Sequence, residues 1–182
     1  DVSLLSEPGC ISAIEQGVTT QAVGLCGFSA GPVGPESLAR LVEEEPVFAF
    51  PGVAWDWTTI RGYRDAVTAA RPATNVTTFV GHNSLRRFVL GSANRPPTDD
   101  ELRTMQALVE QGIDEGARGF TTGLSYAPGL FASVEELAQM TRQNADATSQ
   151  VVGHLAEVDA RANESNQALR DMVTAMGGIQ ES

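Results

Sequence analysis

The chain has 182 residues, 42% hydrophobic and 19% charged, enough to bury one core and too few for two comfortable domains; a disordered or collagen-like chain is excluded. A formal net charge of −11 argues against nucleic-acid binding, which needs a positive surface to displace counterions. No apolar run approaches the ~20 residues that span a bilayer, and the two cysteines, Cys10 and Cys26, are too few for a disulfide framework and suit a reducing, cytoplasmic setting. No signal-peptide pattern is visible, and the chain opens on Asp1 without a methionine, which leaves a preceding segment open.

In chain order, Pro8-Gly9 leads into a short helix expected to turn Ile11, Ile14 and Leu5 toward the core. Residues 18–25 then read as a buried strand, with Val18, Thr19, Thr20 and Val23 favouring extended backbone, that delivers Cys26 between Gly24 and Gly27. A proline-rich loop follows, and Pro35 suits the first turn of a helix bearing Leu38, Leu41 and Val42. Pro46 and Pro51 end regular structure, and Phe48, Phe50, Trp55 and Trp57 read as packing, not as a cofactor site. A helix is predicted over 58–70, with Ile60, Tyr63, Val67 and Ala70 on one face, and a strand over 75–80 that delivers Gly81-His82.

A short helix over 84–90 precedes the clearest helix of the chain, where Thr98 and Glu101 form a capping box and Leu102, Met105, Val109 and Ile113 repeat along one face. Residues 118–122 read as a third strand and 124–131 as a loop. Ser133 with Glu136 forms a second capping box for a helix to about residue 145. A fourth strand over 151–154 ends on His154, and a last helix covers 164–176. Strands alternating with helices imply an α/β fold whose parallel strands are joined by right-handed crossovers. About four strand-helix units, against the eight of a closed barrel, make a partial TIM-type (β/α) barrel with open sheet edges, through which self-association is expected.

Cys26, His82 and His154 each fall at the C-terminal end of a predicted strand, where barrel enzymes present their chemistry. A thiolate and neutral imidazoles are good zinc ligands. Taken alone, Cys26 reads more often as a small buried residue, and a histidine in such a place is more often structural.

The stretches QGVTTQAVGLCGFSAGPV, NVTTFVGHNSLRRFVLG, MQALVEQGIDEGARGFTTGLSYAPG and VVGHLAE, in that order, resemble the N-acyl-D-amino-acid deacylases (D-aminoacylases) of the amidohydrolase superfamily over nearly the whole chain. The resemblance implies a TIM-type barrel with a small β domain built from both ends of a longer chain, of which residues 1–182 form an internal segment of the barrel. It implies zinc as cofactor, a small-molecule N-acyl-D-amino acid as substrate, and Cys26 and His154 as metal ligands. His82 and Arg86, in GHNSLR, match a motif that shapes the site, and Tyr126, in GLSYAPG, matches a tyrosine over the pocket; its hydroxyl could equally satisfy a loop carbonyl.

There are departures from the family pattern. Leu25 stands where asparagine is usual, and Gly153-His154-Leu155-Ala156 where Thr-His-x-Arg is usual. All twelve basic residues are arginine, so no carboxylated lysine can bridge metals here. The family's His-x-His pair, its third zinc histidine and its catalytic aspartate are expected outside the chain, which leaves no catalytic residue within it. Two competing readings follow. The chain could be a non-catalytic barrel segment or assembly subunit, or Cys26 could be a nucleophile with His82 or His154 as its base.

Overall fold

A computed structural model describes residues 1–46, 50, 52–142, 145 and 161. The expected strand over 151–154, with His154, the last helix over 164–176 and Phe48 lie outside the described residues. The chain divides into two compact units, Asp1–Ala145 and Asp146–Ser182, and every element below belongs to the first.

The described strands are β1 (Thr20–Val23), β2 (Asn75–Thr78), β3 (Val80–Gly81) and β4 (Phe120–Thr121). β1 and β2 are parallel, from Thr20 opposite Asn75 to Val23 opposite Thr78; β3 and β4 are parallel, with Val80 opposite Phe120. β2 and β3 are one extended run that changes partner at Phe79. The Phe79 amide donates to the Val23 carbonyl at 3.0 Å, and the Val80 amide donates to the Gly119 carbonyl at 2.9 Å. One run thus bridges β1 and β4, and the C-terminal ends of all three lie together. The Thr121 hydroxyl donates to the Gly24 carbonyl at 2.5 Å and closes that end. The expected α/β fold with parallel strands is present.

Helices α1 (Ser3–Ser6) and α2 (Ile11–Glu15) open the chain, and α3 (Pro35–Glu44) follows β1 with Pro35 in its first turn. α4 (Ile60–Ala70) buries Ile60, Tyr63 and Val67, the spacing the sequence predicts, and Thr59 caps it by accepting from the Gly62 amide. α5 (His82–Leu90) starts directly on β3, two residues before the predicted helix. α6 (Asp99–Asp114) carries the predicted Thr98–Glu101 box: the Glu101 amide donates to the Thr98 hydroxyl at 3.3 Å, and the Thr98 amide to the Glu101 carboxylate at 2.7 Å. Its buried face holds Leu102, Met105, Val109 and Ile113. Each such side chain removed from water stabilises the fold by about 1.5–3 kcal/mol. A seventh helix, α7, is described over residues 134–142.

The third strand, expected over 118–122, is confined to Phe120–Thr121, and two further expectations change. Ile11 and Ile14 are exposed, because Val2 and Leu4 of the preceding turn already fill that part of the core; Leu5 packs against it as expected. The first strand is four residues long, not eight: Val18 is exposed, and Gly24, at φ +85°, turns the backbone out of the sheet. Trp57 is core, as expected of the aromatic cluster. Its ring lies 5.1 Å from Trp55 and 5.7 Å from Tyr63, and its indole donates to the Ala30 carbonyl at 2.7 Å. Among the described residues no helix is long and apolar enough to cross a membrane.

Candidate functional site at the strand ends

The end of β1 presents Cys26 with its backbone in the left-handed region, φ +56°. For a residue with a Cβ this conformation costs roughly 1–2 kcal/mol, so the surrounding contacts must impose it. Cys26 is an exposed free thiol and lies on the rim of a cavity of about 390 Å³. Leu25, Phe28, Leu41, Trp55 and Tyr126 form the apolar walls of that cavity, with Asp1 and Ser84 among its polar members. Phe28 and Tyr126 meet edge to face at 5.6 Å, and the Arg87 guanidinium covers the Phe28 ring at 5.7 Å. Tyr126 is half-exposed at the cavity, where its ring can meet a bound molecule.

His82 and Arg86 stand away from that exposed rim. Both are fully buried on α5 and both bind the Glu136 carboxylate: His82 Nε2 at 2.8 Å from Oε1, and Arg86 Nη1 at 2.5 Å from Oε2. Arg86 Nη2 also donates to the Arg95 carbonyl at 2.8 Å. A carboxylate only accepts, so His82 Nε2 carries a proton, and Nδ1 lies 3.2 Å from the Thr122 hydroxyl. Burial, the largest influence on Glu136, pushes its carboxyl up; the bonds from His82 and Arg86 together outweigh it and hold the group below its ordinary value.

This corrects the second capping box. Ser133 does cap α7, accepting from the Glu136 amide at 3.1 Å, but the Glu136 side chain turns inward to the histidine and arginine instead of back to Ser133. Glu136 is thus a site residue that the sequence pattern assigned to capping, and the motif Ser-x-x-Glu holds no signal that separates the two uses.

As a metal donor set, the described residues offer one side chain. Cys26 suits a soft or borderline cation as a thiolate ligand. His82 does not, since one ring nitrogen faces a carboxylate, the other a hydroxyl, and the ring is buried; for the same reason it has no free nitrogen to serve Cys26 as a base. Among the described residues no group of three or more His, Cys, Asp and Glu could hold a metal ion, and His154 lies outside them.

No protein-family model matches the chain. The D-aminoacylase of Alcaligenes xylosoxydans xylosoxydans is 34% identical over 145 residues, which is 78% of this chain and 28% of that enzyme. Among solved structures, a D-aminoacylase variant in complex with copper chloride is 33% identical with a TM-score of 0.70, over 81% of this chain and 30% of that one. The N-acyl-D-glutamate deacylase of Bordetella bronchiseptica, complexed with zinc and a phosphonate mimic of the tetrahedral intermediate, is 33% identical with a TM-score of 0.62, over 80% and 30%. The chain spans under a third of the length of these relatives, all of them enzymes. Likeness in both sequence and fold, at this identity and across four-fifths of its length, places the chain in the D-aminoacylase family of amidohydrolases.

Proposed function

We propose that these residues are part of the barrel of a longer, cytoplasmic, zinc-dependent amidohydrolase that cleaves the amide bond of N-acyl-D-amino acids. The observation that carries this reading is the placement of Cys26, an exposed thiol at the end of a parallel strand on the rim of an apolar cavity, in a chain homologous to D-aminoacylase. Cys26 and His154 would hold zinc together with donors beyond these residues. When bound, zinc would supply a polarised amide carbonyl and a water acidic enough to attack at neutral pH.

The chain's own residues do the rest of the work assigned here. The cavity walls exclude water and take an apolar part of the substrate, its acyl chain or side chain. Tyr126, on the loop after β4, lies over that space with its hydroxyl able to bond the substrate. His82, Arg86 and Glu136 shape the site from beneath: they fix α5 and the start of α7, and Thr122, bonded to His82, ties the loop that carries Tyr126 to the same cluster.

Turnover of N-acyl-D- and N-acyl-L-amino acids by the parent enzyme tests this reading. Hydrolysis of the D series should vanish on chelation and return with zinc, and should fall far more in Cys26→Ser than in Cys10→Ser. Activity that survives a chelator and is lost to a thiol alkylator would instead make Cys26 the nucleophile.

A further inference from the structure

We propose that Asn83 is the positioning residue that sets the direction of the Cys26 thiol, by holding the turn after β1 to the loop after β4. Asn83 is fully buried at the start of α5. Its Nδ2 donates to two main-chain carbonyls at once, that of Cys26 at 3.2 Å and that of Gly123 at 3.1 Å. Two acceptors on one side fix the amide orientation, because the opposite one would set oxygen against oxygen. Its own amide donates to the Gly27 carbonyl at 2.7 Å, and the Ser84 amide adds a second bond to that oxygen at 3.2 Å. The two peptide groups that follow Cys26 are thereby pinned to α5: the residue between them, Gly27, sits at φ +79°, and Cys26, whose carbonyl the first of them carries, at φ +56°.

The surroundings leave Asn83 no slack. A Cβ on Gly123 would lie 2.1 Å from the Cys26 carbonyl oxygen, and one on Gly129 would lie 2.0 Å from Asn83 Oδ1. That Oδ1 is buried with no hydrogen-bond partner among the described residues. A side chain chosen for stability alone would not keep an orphaned acceptor; here the amide is retained for its two donors, whose target is the backbone of the thiol. The consequence for metal binding rests on the proposal that Cys26 is a ligand; the conformational role does not.

The test uses the parent enzyme with its cysteines selectively labelled with carbon-13. In the metal-free protein the Cα and Cβ shifts of Cys26 should carry the left-handed signature. Asn83→Ala should move them toward extended values, while Cys10, itself at φ +45° but remote from Asn83, stays put as an internal control. Zinc retention against a chelator should fall at least about tenfold in Asn83→Ala, and Asn83→Ala in a Cys26→Ser background should retain zinc no worse than Cys26→Ser alone. Where alanine does not fold, Asn83→Asp, equal in size but unable to donate twice, carries the same measurements. Unchanged Cys26 shifts in a folded variant overturn the proposal, as does a double variant that loses zinc additively. If Cys26→Ser retains zinc like the wild type, the ligand reading fails while the shifts still decide the role of Asn83.

Discussion

Replacing Glu136 by alanine removes the only side chain bonded to both His82 and Arg86 among the described residues. Two charge-assisted hydrogen bonds disappear, each contributing about 1.5–3 kcal/mol. The larger effect is what stays behind. Arg86 is fully buried, its Nε already lacks a partner among the described residues, and a guanidinium cannot shed its charge. Without the carboxylate only the Arg95 carbonyl, at 2.8 Å, faces it among the described residues. Breaking a buried pair from one side typically destabilises by about 3–5 kcal/mol, the loss expected of Glu136→Ala. Glu136→Met with Arg86→Met, which removes both charges and keeps the volume, should cost less than the alanine variant. The sign with pH follows from the lowered carboxyl: the unfolded state binds the proton more readily, so the stabilisation is complete above the ordinary 4.5 and is lost as pH falls through the lower folded value. Glu136→Gln should flatten that acid limb. Urea unfolding of the parent enzyme, followed by tryptophan fluorescence across pH, measures all of this. A loss below about 1 kcal/mol in Glu136→Ala would refute the reasoning.

Cys26→Gly should unfold later than Cys26→Ala by about 1 kcal/mol, because only glycine takes the left-handed turn without strain; equal melting temperatures would show the turn is not strained. Thr98→Ala should cost about 1 kcal/mol by removing the α6 cap. In the same box Glu101 is held down at about 2, first by Arg95 and then by the Thr98 amide, so its contribution fades only between pH 4.5 and about 2. Arg95→Ala should move that window upward, read by titrating Glu101 with NMR. Because Asp1 is the only charged side chain lining the cavity among the described residues, N-acyl-D-leucine or N-acyl-D-methionine should be turned over with higher kcat/KM than N-acyl-D-glutamate. A preference for the acidic substrate would place the side-chain subsite elsewhere.

The long helices were legible because a single face is repeated many times. Ile60, Tyr63 and Val67 in α4, and Leu102, Met105, Val109 and Ile113 in α6, are periodic signals that no local contact overrides. The two capping boxes were equally legible as motifs and yet came apart in the structure. Glu101 lies on an exposed helix start, where nothing competes with the Thr98 amide for its carboxylate except Arg95, whose bonds are compatible with the cap. Glu136 starts a helix that packs over a buried guanidinium and a buried imidazole N–H, and a carboxylate there gains more from Arg86 and His82 than from a backbone amide near solvent. The choice depends on what lies fifty residues earlier in the chain and adjacent in space, which no local pattern records.

Cys26 and Asn83 extend the same argument to the site. The strand-end position of Cys26 could be read from β-branched residues followed by glycine, since a strand must end where its side chains stop supporting it. Its left-handed backbone could not be, because cysteine has no preference for that region and Gly24 or Gly27 alone would have satisfied a turn. The carbonyl of Cys26 is held from another strand-helix junction, by the asparagine next to His82 in GHNSLR. In the fold these two adjacent side chains divide the labour. His82 turns inward to Glu136 and secures the helix, and Asn83 turns to the strand ends and grips the carbonyls of Cys26 and Gly123. Sequence reading ranks residues by the reactivity of their side chains, whereas the junction of parallel strand ends is held by whichever residue can donate to two backbones at once, and here that residue is an uncharged amide.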